Sequence, residues 1–199
     1  MQSSLATFSC HISLERDGLR VAYAMQNTVD SDVGIFNRIE LTGKDGTPTV
    51  RPENAYIDLE GSTLRIQKMV LPIPEGLAMT ARPVPYVTRL PPGQVFREEF
   101  VLSLPIRTYN PMKRAELAAA SPRATIVADD PKSANSVAFY VGVFQSRPGT
   151  KFIPVLEEFP DVYRFWPPGP GVDAQIVLSE SMSLAVPIPV LDYRAVPRE

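Results

Sequence analysis

Residues 6–25 read ATFSCHISLERDGLRVAYAM, and their rhythm decides the fold. Ala6, Phe8, Cys10, Ile12 and Leu14 alternate with Thr7, Ser9, His11, Ser13 and Glu15. A period of two sends these two sets to opposite faces of a β-strand. Asp17-Gly18 then supplies the positive φ of a tight turn, and Leu19, Val21, Tyr23 and Met25 resume the alternation. The stretch is a β-hairpin with one apolar face.

The same pattern recurs on the C-terminal side. Residues 33–41 read as a third strand after a polar turn, and residues 55–59 and 64–70 flank Glu60-Gly61-Ser62. Pro92-Gly93 opens a strand in which Phe96, Phe100, Leu102 and Leu104 share a face, with Glu98 the exception on it. Residues 136–144 and 175–186 are further strands, rich in β-branched side chains. Prolines at 72, 74, 83, 85, 91 and 92 deny residues 71–94 the N–H groups of a ladder, so that stretch is expected to be edge or irregular. Asp129-Asp130-Pro131 reads as a turn, and residues 145–173 form a second proline-rich excursion that places Trp166 in a loop. One helix interrupts the strands: Asn110 caps it, Pro111 takes its first position, and Ser121-Pro122 ends it. The chain from Pro187 reads as an extended arm.

About eight strands with one short helix point to an all-β, immunoglobulin-like antiparallel sandwich. A single domain is expected over residues 5–190, with insertions at 105–135 and 145–173 and an extended tail at 191–199.

Composition narrows the function. The 199 residues carry 20 Lys+Arg against 22 Asp+Glu, a formal charge of −2. Nucleic-acid binding rests on basic residues neutralising phosphates, so this balance argues against it. The longest apolar run is strand-sized, so no transmembrane segment is expected. The lone Cys10 rules out an intramolecular disulfide, and the start of the chain lacks the basic and apolar parts of a secretory signal. The expected compartment is the cytoplasm, or the periplasm if a signal was removed before Gln2.

Chemistry is sparse. His11 is the only histidine, and its neighbour Cys10 points to the other face of the strand, so the two do not form a nucleophile–base pair. Gly-x-Ser-x-Gly and Ser-x-x-Lys are both absent. Neither a metal site nor a cofactor nor a catalytic residue is expected. Glu157, Glu158 and Asp161 cluster in the second excursion as a solvated acidic loop, the alternative being a glycosidase-type carboxylate pair. Tyr163, Phe165 and Trp166 stand beside them among prolines, with Tyr109 and Tyr86 in the other irregular stretches. Such aromatics form either a recognition surface or a satellite core closing one end of the sandwich, and the second reading is favoured.

Three segments resemble a known family. Arg20-Val21-Ala22-Tyr23 with Asn27, Thr88-Arg89-Leu90-Pro91-Pro92-Gly93-Gln94, and Phe144-Gln145-Ser146-Arg147-Pro148 are similar to parts of the N-terminal immunoglobulin-like domain of periplasmic pilus chaperones. The resemblance implies that fold. The chain departs from the family at Val143, where the family's anchoring lysine would stand.

The function expected from the sequence is a non-enzymatic interaction module that offers its proline-rich loops or an edge strand to a protein partner. Two alternatives are a small-molecule or carbohydrate binder, or a carboxylate-based hydrolase, using residues 157–166, and a structural subunit of a larger assembly that docks through the arm from Pro187. A concave pocket joining Tyr163, Phe165 and Trp166 to two carboxylates would favour a ligand; a self-packed arrangement would favour the module.

Overall fold

The computed structural model describes residues 5–42, 46–78, 82–155 and 161–198. In chain order the strands before the first helix are β1 (Ala6–Glu15), β2 (Gly18–Asn27), β3 (Val33–Arg38), β4 (Glu40–Thr42), β5 (Pro48–Val50), β6 (Tyr56–Glu60), β7 (Thr63–Lys68), β8 (Tyr86–Leu90), β9 (Val95–Ser103) and β10 (Ile106–Arg107). Helix α1 (Pro111–Ala120), β11 (Ala124–Gln145), β12 (Lys151–Pro154), β13 (Tyr163–Trp166), α2 (Pro168–Asp173) and β14 (Ile176–Pro197) follow. The protein is an all-β sandwich.

One layer is the three-stranded sheet β1-β2-β9, built on the hairpin of residues 6–25, with Glu15 opposite Gly18. The other is a nine-stranded sheet running β10-β14-β11-β3-β8-β13-β12, with β7 on β11 and β6 on β7. Two of its pairings, β7 with β11 and β10 with β14, are parallel. The main core lies between the layers, where Phe8, Val21 and Phe100 meet Ile35, Leu64 and Phe139.

A second cluster covers the far face of the large sheet. Ile35 and Val143 face the main core, so their neighbours Phe36 and Phe144 point the other way and gather Val70, Val87 and Phe165. Gly34 permits this packing: a Cβ there would stand 2.2 Å from the Phe144 ring. Burial on both faces explains why β3 and the end of β11 are continuously apolar rather than alternating. A third cluster, of Ile39, Tyr56, Leu71 and Met112, seats α1.

Several expectations need correction. Fourteen strands and two helices are present among the described residues, where about eight and one were expected. The predicted strand 33–41 is two strands, because Ile39 between them turns inward to the third cluster. Residues 86–90 are the interior strand β8, between β3 and β13, and not an edge: the prolines stop at 85 and resume at 91. Much of the 105–135 insertion is the first half of β11, which contains Asp129-Asp130-Pro131 as strand with a register shift between Ala128 and Asp130. Only β14 pairs with β11 there among the described residues, so the N–H that Pro131 lacks is not needed on the other side.

The 145–173 excursion carries the β12–β13 hairpin and α2, and Trp166 ends β13 instead of lying in a loop. The tail expected at 191–199 is strand through Pro197, paired to β11 from Ala124 onward. Along that ribbon Ala134 faces Ile188 and Ser136 faces Ser183, so Leu184 to Pro187 stand opposite Asn135 alone. The outer side of β14 is paired only at Val190 and Leu191, by β10, among the described residues.

A candidate recognition groove

β13 divides its side chains by the two-residue rule. Tyr163 and Phe165 turn toward the second cluster, whereas Arg164 and Trp166 face outward. Phe165 is buried against Phe36 and Phe144, with ring centroids 5.6 and 4.5 Å away. Tyr163 is half-buried and meets Phe152 edge-on at 6.2 Å. These two belong to a satellite cluster, but it covers the far face of the large sheet and does not close an end of the sandwich as expected.

Trp166 behaves differently. It is 61% exposed and borders a groove of about 570 Å³ that also takes in Tyr86, Val84, Ile153, Tyr56 and one edge of Phe165. Ile153 is 49% and Val84 37% exposed, so three of the molecule's large exposed apolar side chains gather on one concavity. Its size falls in the range of about 300–1,000 Å³ that holds ligands and short peptide segments. Prolines 83, 85 and 168 line it as well and stiffen the wall.

Polar groups form one chain at the rim. The Tyr86 hydroxyl donates to Glu40 Oε2 at 2.7 Å and accepts from Arg164 Nη2 at 3.2 Å. The Arg164 guanidinium lies 5.4 Å from the Tyr86 ring centroid, and its hydrogen bond to the Tyr86 hydroxyl favours its charged form. Sequence reading missed Arg164, Glu40 and Ile153. Arg164 had a signal, since it shares the strand face of Trp166; Glu40 fell inside the predicted strand 33–41 with nothing to mark it, and Ile153 comes from β12, which residue patterns did not reveal.

The other sequence-predicted residues are placed as follows. Tyr109 is outside the groove lining and stacks on Tyr56 at 6.3 Å. Asp161 is exposed; burial lowers the Arg38 guanidinium, and the Asp161 carboxylate only partly opposes that. Glu157 and Glu158 lie outside the described residues. Glu40 is the one carboxylate lining the groove among the described residues. His11 is exposed on β1, while Cys10 turns toward the core, where burial, aided by Glu180, pushes its thiol up to about 12. No group of three His, Cys, Asp or Glu among the described residues is placed to hold a metal ion.

Beneath the groove wall is a buried ionic cluster. Lys68 is 0% exposed and its Nζ donates to Glu98 Oε1 at 2.6 Å and to the Pro52 carbonyl, with the Phe100 ring 4.5 Å away. Glu98 also accepts from the Tyr23 hydroxyl at 2.7 Å and from Arg38, which faces Tyr86 across the β3–β8 ladder. Burial, and then the Arg38 charge, lower the Lys68 ammonium well below its usual range.

Comparison with protein-family models, curated proteins and solved structures returns no match to this chain.

Proposed function

We propose that this chain is a non-enzymatic protein-interaction module whose groove at Trp166 takes an extended, proline-containing segment of a partner protein. The observation that carries the reading is the gathering of Trp166, Ile153 and Val84, all exposed, on a concavity with an aromatic wall. Aromatic-lined grooves suit polyproline II segments, which arrive already extended and lose little entropy on docking. The rim supports an uncharged occupant: its cation and anion are joined through Tyr86, leaving outward N–H and carboxylate positions for peptide backbone. The immunoglobulin-like character expected from the sequence belongs to this proposal, supported by the antiparallel β1-β2-β9 layer packed on the larger sheet.

Trp166 is the only tryptophan, so it reports on its own groove. Titration with a decaproline peptide is expected to shift its emission to shorter wavelength and to saturate. Ile153→Ala should weaken that binding about tenfold without moving the urea midpoint, as for an exposed anchor residue. Emission that stays fixed, or a shift that Ile153→Ala leaves intact, would overturn the reading.

A further inference from the structure

Asn37, next to last in β3, is 0% exposed, and neither its Oδ1 nor its Nδ2 has a hydrogen-bond partner among the described residues. A buried amide left wholly unpaired is costly, and its presence calls for an explanation in chemistry.

The group beside it is an amine. Lys68 Nζ lies 3.4 Å from the Asn37 backbone carbonyl oxygen, and the two side chains converge on one carboxylate. Nζ is 2.6 Å from Glu98 Oε1. The Tyr23 hydroxyl donates to that same oxygen at 2.7 Å, and the Asn37 amide borders that hydroxyl. Water is kept out: Lys68 is 0% exposed, the Glu98 side chain 4%, and the Phe100 ring stands 4.5 Å from Nζ. A closed site holds nucleophile and amide together and spares the amide from hydrolysis. Burial, and then the Arg38 charge, also favour the free amine of Lys68, which is the form that attacks.

We propose that Lys68 and Asn37 join in an intramolecular isopeptide bond, with Glu98 as the proton carrier. The Nζ–Cγ bond forms and the Cγ–Nδ2 bond breaks. Starting from the ammonium, two protons pass from Nζ to Nδ2 by way of Glu98, and Nδ2 leaves as an ammonium ion. Nothing is oxidised or reduced, and no co-reactant is needed. The reaction also removes the misfit: Nδ2 departs, and the new amide N–H takes the place of the ammonium as a donor to Glu98.

The bond staples β3 to β7. These strands follow one another along the same side of β11, β3 at Val143–Gln145 and β7 at Ser136–Val141, and no ladder joins them among the described residues. Until it closes, Lys68 keeps the titration of a buried amine. The linked chain loses that titration and answers pH as Lys68→Met does.

Mass spectrometry of the full chain tests this, on fresh protein and after several days folded at neutral pH. The linked form is expected to be about 17 Da lighter, the mass of one ammonia. Trypsin should then release residues 21–38 joined to residues 66–89, because a linked Lys68 is no longer cut. Lys68→Met and Asn37→Ala should give no joined peptide. Asn37→Asp should still link, now losing water, about 18 Da. Glu98→Gln should slow closure at least tenfold; if that variant does not fold, the contrast between Asn37→Asp and Asn37→Ala decides. Peptides that stay separate in the incubated wild type would overturn the proposal. So would a joined peptide in Asn37→Ala, or a loss of ammonia confined to Gln2, which can cyclise at a chain terminus.

Discussion

Glu98 is the residue on which the interior depends. It is the single acceptor between Lys68, Arg38 and Tyr23, so removing its charge strands two cations inside the sandwich. Glu98→Gln is expected to cost about 3–5 kcal/mol in urea unfolding, the usual result of breaking a buried pair from one side. Lys68→Met should cost less than half as much, because it removes a buried ammonium and leaves Glu98 with Arg38 and Tyr23. The two differ again in pH dependence. The folded chain holds the Lys68 proton less tightly than the unfolded chain, whose lysine titrates near the ordinary 10.5. Between the lowered folded value and 10.5 the unfolded state therefore binds more protons, and stability rises with pH. Urea midpoints measured from neutrality to about pH 8, below the range where the unfolded thiol and phenols titrate, should climb in the unlinked wild type and flatten in Lys68→Met. Both charges were visible in the sequence as breaks in apolar faces. Glu98 stands among Phe96, Phe100 and Leu102, and Lys68 follows Leu64 and Ile66 at the same spacing. What residue order cannot supply is that these two strands lie in facing sheets.

Among the elements, α1 shows how a local signal and a distant contact share one side chain. Asn110 Oδ1 accepts from the Met112 and Lys113 amides at 3.0 and 3.2 Å, while its Nδ2 reaches Asp58. Asn110→Ser keeps the cap and loses the reach; Asn110→Ala loses both. Thermal or urea unfolding should place Asn110→Ser between wild type and Asn110→Ala, the alanine variant costing at least the ~1 kcal/mol of a lost cap. The cap, the proline at the first helical position and the first hairpin were all legible, because each depends on residues within a few positions of one another. β8 was hidden by prolines on both sides, and the length of β11 by Asp129-Asp130-Pro131, which is a turn by composition and a strand because β14 lies beside it. The groove was half legible: Trp166 and Tyr86 were singled out, but Glu40 joins them only through the fold, and Ile153 comes from a short strand that exists only through its pairing.

The molecule as a whole is built on two apolar layers that share the large sheet. The β12–β13 hairpin touches the rest of that sheet through one ladder position, Tyr163 opposite Val87, and is otherwise held by Phe165, the buried ring at the centre of the second cluster, with help from Phe152 and the Arg164–Tyr86 hydrogen bond. Phe165→Ala should therefore free the hairpin, and the groove with it, while the sandwich stays folded. Hydrogen exchange is the measurement: amides of β12 and β13 should lose protection while those of β1, β2 and β9 keep theirs, and uniform loss would mean one cooperative unit. The far side of the same sheet ends differently. There Leu184 to Pro187 crowd out of register against Asn135, and Pro187 has no N–H to offer. A sheet border with an irregular step and a missing donor is a poor template for strand-by-strand addition, so this stretch of β14 discourages a stray chain from pairing along its outer side.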